Sequence, residues 1–173
     1  MEVRDAALSD MEQITVIYND VLLSSTSIYN DRPASVEDRI AWLEGRHRQG
    51  YPVLVAVEGD TVLGFASYGD FRTWPGYRFT VEGTIHISST FRKQGVGSVL
   101  LARLIDHARA AGKHILIAGV DSGNAASLKF LERSGFERAG CLREVGYKFG
   151  HYLDLVLLQY WLTAPERSSE NAM

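Results

Sequence analysis

The sequence from residue 84 to residue 98 is Thr84-Ile85-His86-Ile87-Ser88-Ser89-Thr90-Phe91-Arg92-Lys93-Gln94-Gly95-Val96-Gly97-Ser98. It passes from an apolar strand through a short polar turn into the first residues of a helix with one apolar face. Gly95 and Gly97 allow the backbone to approach a ligand closely, because neither has a Cβ atom. The first N–H groups of a helix have no acceptor within it, and the helix dipole adds partial positive charge there. The segment therefore predicts a pyrophosphate site at residues 93–98, to which Arg92 and Lys93 add charge.

Glycine spacing alone leaves a second interpretation open, which is a tight strand-to-helix turn that binds no ligand. Two other phosphate-binding motifs are absent from the sequence. The Gly-Lys-Ser/Thr that opens the helix of a Walker loop is missing, and so is the Gly-x-Gly-x-x-Gly fingerprint of dinucleotide-binding proteins.

Helices and strands are predicted on both sides of this segment. On the N-terminal side we expect a strand over 3–6, a helix over 10–23 that begins with a Ser9–Glu12 capping box, a second helix capped by Ser35, a hairpin of strands 53–57 and 62–68, a loop over 69–76 and a strand over 79–88. On the C-terminal side we expect a helix over 95–111, a strand over 115–120, a helix over 125–134, and strands over 136–139 and 152–160. This order predicts a single α/β domain over residues 1–162, in which hairpins and crossover helices share one sheet. Residues 163–173 are predicted to be a flexible tail.

Composition excludes several classes of protein. The chain has 173 residues and a formal net charge of -3, without the basic excess of a nucleic-acid-binding protein. A single cysteine, Cys141, excludes an internal disulfide and a cysteine-based metal cluster. The five histidines lack the spacing of metal ligands on a common face, so we expect no metal. No apolar run is long enough to cross a membrane and no signal-peptide core is present, which predicts a cytoplasmic protein.

Two motifs together resemble a known superfamily. Arg92-x-x-Gly95-x-Gly97 after an apolar strand is similar to motif A of the GNAT superfamily of N-acetyltransferases. Further on, Asn124-Ala125-Ala126-Ser127 and Leu131-Glu132-Arg133-Ser134-Gly135-Phe136 resemble that superfamily's Asn-containing helix ending in Gly-Phe. The resemblance implies a central, mixed, mostly antiparallel twisted sheet flanked by helices.

A closer resemblance covers residues 2–162, to the branch of phosphinothricin and methionine sulfoximine/sulfone acetyltransferases. It is carried by Tyr18-Asn19, Arg39-Ile40-Ala41-Trp42, Gly69-Asp70-Phe71-Arg72, Tyr77-Arg78-Phe79-Thr80-Val81-Glu82 and Val145-Gly146-Tyr147-Lys148-Phe149-Gly150-His151-Tyr152-Leu153-Asp154-Leu155. The resemblance implies acetyl-CoA as donor, a glutamate-like or methionine-like α-amine as acceptor, and a homodimer.

The resemblance also implies which residues bind acetyl-CoA. The pantetheine arm would pair with Ile85, His86 and Ile87 like an added strand, and an N–H near Ile87 would polarise the thioester carbonyl. The pyrophosphate would bind the segment from Lys93 to Ser98. Asn124 would hydrogen-bond the pantetheine amides, and Ser127 would reach the sulfur or the phosphates. Otherwise Asn124 is a helix cap and Ser127 a surface serine, and Asn124 can do both.

Catalysis requires the amine to lose a proton. Strand alternation places Glu82, Thr84 and His86 on one face, and we interpret Glu82 as the general base, acting directly or through a water. The alternative for Glu82 is a solvated glutamate on an edge strand that takes no part in catalysis. His86 is a rival base, and its own alternative is a side chain that is packed or hydrogen-bonded locally.

An amino-acid acceptor also carries a carboxylate, which a guanidinium binds with two parallel hydrogen bonds. Arg72 is the first candidate and Arg78 the second, and either is otherwise a surface arginine. Trp74 and Tyr29 are candidate apolar walls. The predicted acceptor site comprises Arg72, Thr73, Trp74, Arg78, Glu82, Gly83 and Thr84.

Two further expectations concern the C-terminal half. Lys148 and Phe149 are expected to contribute across a dimer interface. Leu131 occupies the position where many GNAT enzymes have a tyrosine that protonates the leaving thiolate, and this departure leaves that proton's source open.

The rival functions are acetylation of a peptide or protein N-terminus or of a polyamine, and a non-catalytic acyl-CoA sensor.

Overall fold

A computed structural model describes residues 1–165. Its regular elements, in chain order, are β1 (Glu2–Asp5), α1 (Met11–Ser24), α2 (Val36–Arg48), β2 (Val53–Glu58), β3 (Thr61–Asp70), β4 (Thr80–Ile87), α3 (Val96–Ala110), β5 (Ile115–Asp121), α4 (Ala125–Arg133), β6 (Glu137–Lys148) and β7 (His151–Trp161). Residues 166–173, most of the predicted tail, lie outside the described residues. Thr163, where that tail was expected to begin, contacts the His114 ring through its hydroxyl. No helix within residues 1–165 has the length and apolarity needed to cross a membrane.

All seven strands form one sheet in the order β1-β2-β3-β4-β5-β7-β6. The neighbours β4 and β5 are parallel, and the remaining neighbouring strands pair antiparallel. The α/β class and the mixed, mostly antiparallel sheet are therefore confirmed. A parallel pair needs a crossover connection, and α3 supplies it between β4 and β5.

The two parallel strands separate soon after they meet. They pair only from Thr80 with Ile115 to Glu82 with Ile117, although β4 continues to Ile87 and β5 to Asp121. Beyond the last pair the sheet divides, and each strand leads into the N-terminus of a helix. A cleft therefore opens in the middle of the sheet, with two helix N-termini at its mouth.

Helices cover the two faces of the sheet. On one face, α3 packs Leu100 and Leu104 against Leu116 of β5 and Leu158 of β7. On the other face, α1 and α2 pack against β2 and β3, as in the buried cluster that includes Ile14 of α1, Leu43 of α2 and Phe65 of β3. The apolar residues at helical spacing therefore form the inward faces that the sequence predicted.

Two strand boundaries differ from the prediction. Strand β6 extends to Lys148 rather than stopping at residue 139, and β3 extends to Asp70, into the start of the predicted loop over 69–76. Most of β6 is exposed on both faces because it is the edge strand, so it lacks the apolar alternation by which strands are recognised. Its pairing with β7 is also interrupted by register shifts, one of them between Leu142 and Gly146.

The start of α1 also differs from the prediction. Ser9 and Glu12 do not form the expected capping box, and Asp10 is the residue that organises this turn instead. Its carboxylate accepts hydrogen bonds from the Ala7 N–H at 2.7 Å and from two guanidinium nitrogens of Arg4 at 2.7 and 2.9 Å. The hydrogen bonds from Arg4, more than any other factor, hold the pKa of Asp10 below its ordinary value, although burial opposes them. An ion pair with β1 therefore replaces the local cap, and the spacing of residues 9–12 could not show it.

We expect Asp10→Asn to lower the free energy of unfolding at pH 7 by about 1–2 kcal/mol, because charge-assisted hydrogen bonds are lost. The loss is no larger because Arg4 is partly exposed and solvent screens its charge. The pKa of Asp10 is lower in the folded state, so its contribution is present above the unfolded value of about 3.9 and is lost as the pH falls through the folded value. Urea unfolding between pH 7 and pH 2.5 measures both effects. Glu12→Gln is the matched control, with an expected change within about 0.5 kcal/mol. A larger loss for Glu12→Gln than for Asp10→Asn would contradict this assignment.

Candidate functional site

The cleft between β4 and β5 has a volume of about 820 Å³. It is lined by the second half of both strands, the N-termini of α3 and α4, and the end of α1 with the first residues after it. Most of the predicted cofactor-binding residues line it, namely Ile85, His86, Ile87, Lys93, Gly95, Gly97, Ser98, Asn124 and Ser127, together with the predicted acceptor residues Gly83 and Thr84. Two of the predicted cofactor-binding side chains do not: Val96 is buried in the core, and Gln94 donates a hydrogen bond to the Thr90 carbonyl.

The backbone of β4 presents free edge groups to the cleft. The N–H of Ser88 donates to the Leu63 carbonyl of β3 at 3.0 Å, and the Phe79 carbonyl points the other way and accepts from His114 at 2.8 Å. Alternation along the strand then directs the backbone N–H and C=O of Ile85 and Ile87 away from β3, toward the separated β5. An extended ligand with amide groups can pair with this edge as an added strand does.

The N-terminus of α3 offers a second set of free donors. Gly95 caps the helix with φ 84° and Lys93 precedes it with φ 62°, conformations in which a glycine or a strained residue is found. Within residues 1–165, the N–H groups of Gly95, Val96 and Gly97 have no acceptor, whereas the N–H of Ser98 donates to the Gly95 carbonyl. These three amides are therefore free to donate to an anion at the start of the helix.

Asn124 has structural contacts at the start of α4. Its Oδ1 accepts a hydrogen bond from the Ser127 N–H at 3.1 Å, which makes it the N-cap, and its Nδ2 lies 3.4 Å from the Ser27 hydroxyl. The helix-cap interpretation is therefore correct. Binding of a ligand by Asn124 or Ser127 stays a prediction, and both residues line the cleft.

Glu82, Thr84 and His86 share one face of β4. The alternate residues point the opposite way, since a Cβ at Gly83 would lie 3.0 Å from Leu116 Cδ1 in the α3 core. Glu82 is half-buried, and its Oε1 lies 3.4 Å from the position a Cβ on Gly119 would take. Burial raises the pKa of Glu82 above its ordinary value, and the positive charge of Arg72 partly offsets this effect. A carboxylate with a raised pKa beside an arginine can accept a proton from a bound amine.

The predicted acceptor residues of the 72–78 segment are placed unequally. The positive charge of Arg72 partly offsets the effect of burial on the pKa of Glu82, so these two predicted residues lie within electrostatic range of each other. Within the described chain, the guanidinium of Arg78 makes only local contacts, stacking on Phe79 and donating to the Pro75 carbonyl at 3.1 Å. Trp74 is 74% exposed, so it does not form a wall of the site in this chain, and Thr73 is also exposed.

His86 is packed among aromatic rings. Its ring centroid lies 5.2 Å from that of Phe65 and 6.4 Å from that of Tyr18. The buried guanidinium of Arg39 stacks on Trp42 at 3.8 Å and on Tyr18 at 4.3 Å. Burial, with the charge of Arg39 as a second cause, lowers the pKa of His86 to about 4. The imidazole is therefore neutral at physiological pH and a weaker base than the carboxylate of Glu82.

The sequence analysis missed several residues that line the cleft. Ser25, Thr26 and Ser27, which follow α1, line it, and so does Asp121 at the end of β5. The sequence analysis assigned no element and no role to residues 25–27, and no spacing rule connects them to residues nearly a hundred positions away. The small hydroxyl residues in succession were the one available signal.

Lys148 is placed differently from the prediction. It is 2% exposed, and its ammonium contacts the backbone of its own chain, so its side chain is not available at the surface of this chain. Phe149 is exposed and lines the cleft, and its role across an interface stays a prediction. Leu131 also lines the cleft and offers no proton. Residues 1–165 contain no group of three or more His, Cys, Asp or Glu side chains that could hold a metal ion.

Comparisons with known proteins agree with this geometry. The chain is 45% identical over 168 residues to an L-methionine sulfoximine/L-methionine sulfone acetyltransferase of Pseudomonas paraeruginosa, covering 96% of this chain and 97% of the relative. It is 32% identical over 158 residues to a phosphinothricin N-acetyltransferase of Streptomyces coelicolor, covering 90% and 92%. A solved acetyltransferase of Salmonella typhimurium with its cofactor acetyl-CoA superposes with a TM-score of 0.92 and 42% identity, covering 100% of this chain and 99% of that one.

A family model described as the acetyltransferase (GNAT) family matches residues 14–136, which include α3, the divided strands β4 and β5, and α4. This match covers most of the chain, and it contains both glycine-rich and Asn-containing motifs. The chain therefore belongs to the GNAT family of acetyltransferases.

Proposed function

We propose that this N-acetyltransferase transfers the acetyl group of acetyl-CoA to the α-amine of a small amino-acid analogue, of the methionine sulfoximine, methionine sulfone or phosphinothricin type. The observation that carries the proposal is the division of the sheet between β4 and β5, which joins a free strand edge to a helix N-terminus with free amides. The names of the similar acetyltransferases support this choice of acceptor.

The chain's residues fit acetyl-CoA at two places. The free amides of Gly95, Val96 and Gly97 would bind the pyrophosphate, and the side chains of Arg92 and Lys93, which line the cleft, would add positive charge. The β4 edge at Ile85 and Ile87 would pair with the amides of the pantetheine arm. In the transition state, a β4 N–H near Ile87 would stabilise the charge that develops on the carbonyl oxygen.

Transfer would occur directly, in a complex that holds both substrates. The amine nitrogen forms a bond to the carbonyl carbon, the carbon–sulfur bond breaks, and the thiolate of coenzyme A leaves. Glu82 takes the proton of the amine, directly or through a water. We assign the base to Glu82 rather than His86, because burial raises the affinity of the carboxylate for a proton and lowers that of the imidazole.

The acceptor's carboxylate would bind Arg72. An arginine beside the general base would hold the α-carboxylate and present the amine one carbon away, and its charge partly offsets the effect of burial on the pKa of Glu82. With Leu131 in the cleft in place of a proton donor, the leaving thiolate would take its proton from water, from Ser127 or from the substrate ammonium. The homodimer and the cytoplasmic location stay predictions.

We expect Glu82→Gln to lower kcat/KM by ~10²–10⁴-fold, because general base catalysis is lost while the shape of the site is kept. A thiol-release assay with acetyl-CoA across methionine sulfone, methionine sulfoximine, phosphinothricin and ordinary amino acids measures this effect. Calorimetric titration with coenzyme A is the control and should give an unchanged Kd. Cofactor binding without turnover of any amine by the unmodified protein would instead identify a sensor, and preferred turnover of peptides or polyamines would exclude the proposed acceptor.

Arg39→Met separates the two candidate bases. The substitution removes one of the two causes that depress the pKa of His86, so this pKa should rise from about 4 toward the ordinary value of about 6.5, while burial still holds it lower. NMR titration of the imidazole follows the change. If Glu82 is the base, the acidic limb of the kcat/KM profile should not move with it. A limb that follows the His86 titration would assign the base to His86.

Gly95→Ala tests the pyrophosphate site, with Gly50→Ala as its matched control. Both glycines have positive φ, 84° and 73°, and a Cβ at either would meet no atom within 4 Å. Each substitution should therefore cost about 1–2 kcal/mol of stability through backbone strain. Only Gly95→Ala should weaken coenzyme A binding, by about tenfold or more, because it tilts the free amides. Equal coenzyme A affinities of the two variants would contradict the proposed site.

A further inference from the structure

The loop that follows α1 is held down by side chains from the other half of the chain. The ammonium of Lys148, at the end of β6, donates to the carbonyls of Leu22 at 2.5 Å, Ser25 at 2.8 Å and Ile28 at 2.7 Å. An ammonium has three N–H donors, and each one meets a carbonyl here. The C-terminal carbonyls of a helix lack partners within the helix and carry partial negative charge, so a buried cation at this point is well compensated.

A second contact fixes the same segment to β5. The hydroxyl of Thr26 donates to Asp121 Oδ2 at 2.5 Å, and Asp121 is 8% exposed. Ala118 and Val120, at alternate positions of β5, pack on the α3 side of the sheet, and Asp121 is the next residue after them. Its side chain is therefore on the opposite face, the face from which Glu82 acts.

The held segment is a wall of the cleft. Ser25, Thr26 and Ser27 line it, and Asp121 lines it beside them. The proposed mechanism gives none of these residues a role in chemistry, and yet the two ionic side chains that fix them are among the few buried charged groups of the described chain. Burying charge is costly unless it is fully paired, so such contacts stabilise one loop position over others.

We propose that Lys148 and Asp121 are positioning residues. They hold residues 25–28 in place, of which residues 25–27 form the acceptor-side wall of the cleft, and we call this set of contacts the clasp. The clasp rests on the proposed function, since it orders the face on which the amine meets Glu82. It does not touch the reacting atoms. Ordering the wall before the acceptor arrives removes an entropic cost from acceptor binding, and the cofactor's phosphates bind elsewhere, at the start of α3.

Thr26→Val tests the clasp, with Thr26→Ser as its conservative partner. Valine keeps the shape of threonine and removes the bond to Asp121, whereas serine keeps the hydroxyl. We expect the KM for the amine to rise about tenfold in Thr26→Val, with kcat and the Kd of coenzyme A within about twofold of the original, and Thr26→Ser to restore the KM. An unchanged amine KM, or equal losses in amine and coenzyme A binding, would overturn the proposal.

Hydrogen exchange gives a readout that needs no acceptor. Amides of residues 25–28 should exchange about tenfold faster in Thr26→Val and in Lys148→Met than in the original protein, while core strands keep their protection. Unchanged exchange in a folded Thr26→Val would overturn the clasp even if the enzyme is active. Faster exchange combined with no turnover of any amine would keep the clasp as a loop anchor and overturn both the proposed function and the clasp's role in acceptor binding.

Discussion

The separation of two parallel strands is the constraint on which the rest of the molecule depends. A sheet normally satisfies the backbone groups of every interior strand, and β4 and β5 are interior strands that pair over only three positions. Beyond Glu82 and Ile117 their facing edges have no strand partner, so hydrogen-bonding groups are exposed in the centre of the fold. Because each strand then turns into a helix, the free edge and the free helix amides open into the same cleft. One topological feature therefore provides donors for both an extended amide chain and an anion.

The side chains around this cleft show how burial sorts titratable groups. The same loss of hydration raises the proton affinity of Glu82 and lowers that of His86, because burial disfavours the charged form of each. Arginines then act in opposite senses, since Arg72 moderates the shift of Glu82 while Arg39 increases that of His86. Two groups on one strand face are therefore separated into a carboxyl group with a raised pKa and a neutral, packed imidazole, without any difference in strand geometry.

The sequence was a good guide wherever the controlling interactions are local. The helices, the hairpin of β2 and β3, the Ser35 cap and the strand-to-helix turn at Gly95 all follow from spacing or backbone conformation within a few residues. The predictions failed where a residue is positioned by contacts with residues distant in the sequence. The edge strand β6 lacks an apolar pattern because nothing covers it, and the turn before α1 is organised by Arg4 of β1 rather than by the nearby Glu12. The burial of Lys148 could not be foreseen, since its three acceptors lie more than a hundred residues earlier.

By itself, the sequence determined the family, the strand-to-helix turn at the start of α3 and the alternation that places Glu82 with Thr84 and His86, because glycine positions and strand periodicity are properties of neighbouring residues. Only the tertiary structure decided which arginine lies near Glu82, how far β4 and β5 stay paired, and that residues 25–27 form a wall of the cleft. The physical reason is that these features depend on contacts between segments far apart in the chain. Their energies come from burial and charge pairing in the assembled fold, which no local pattern of residues encodes.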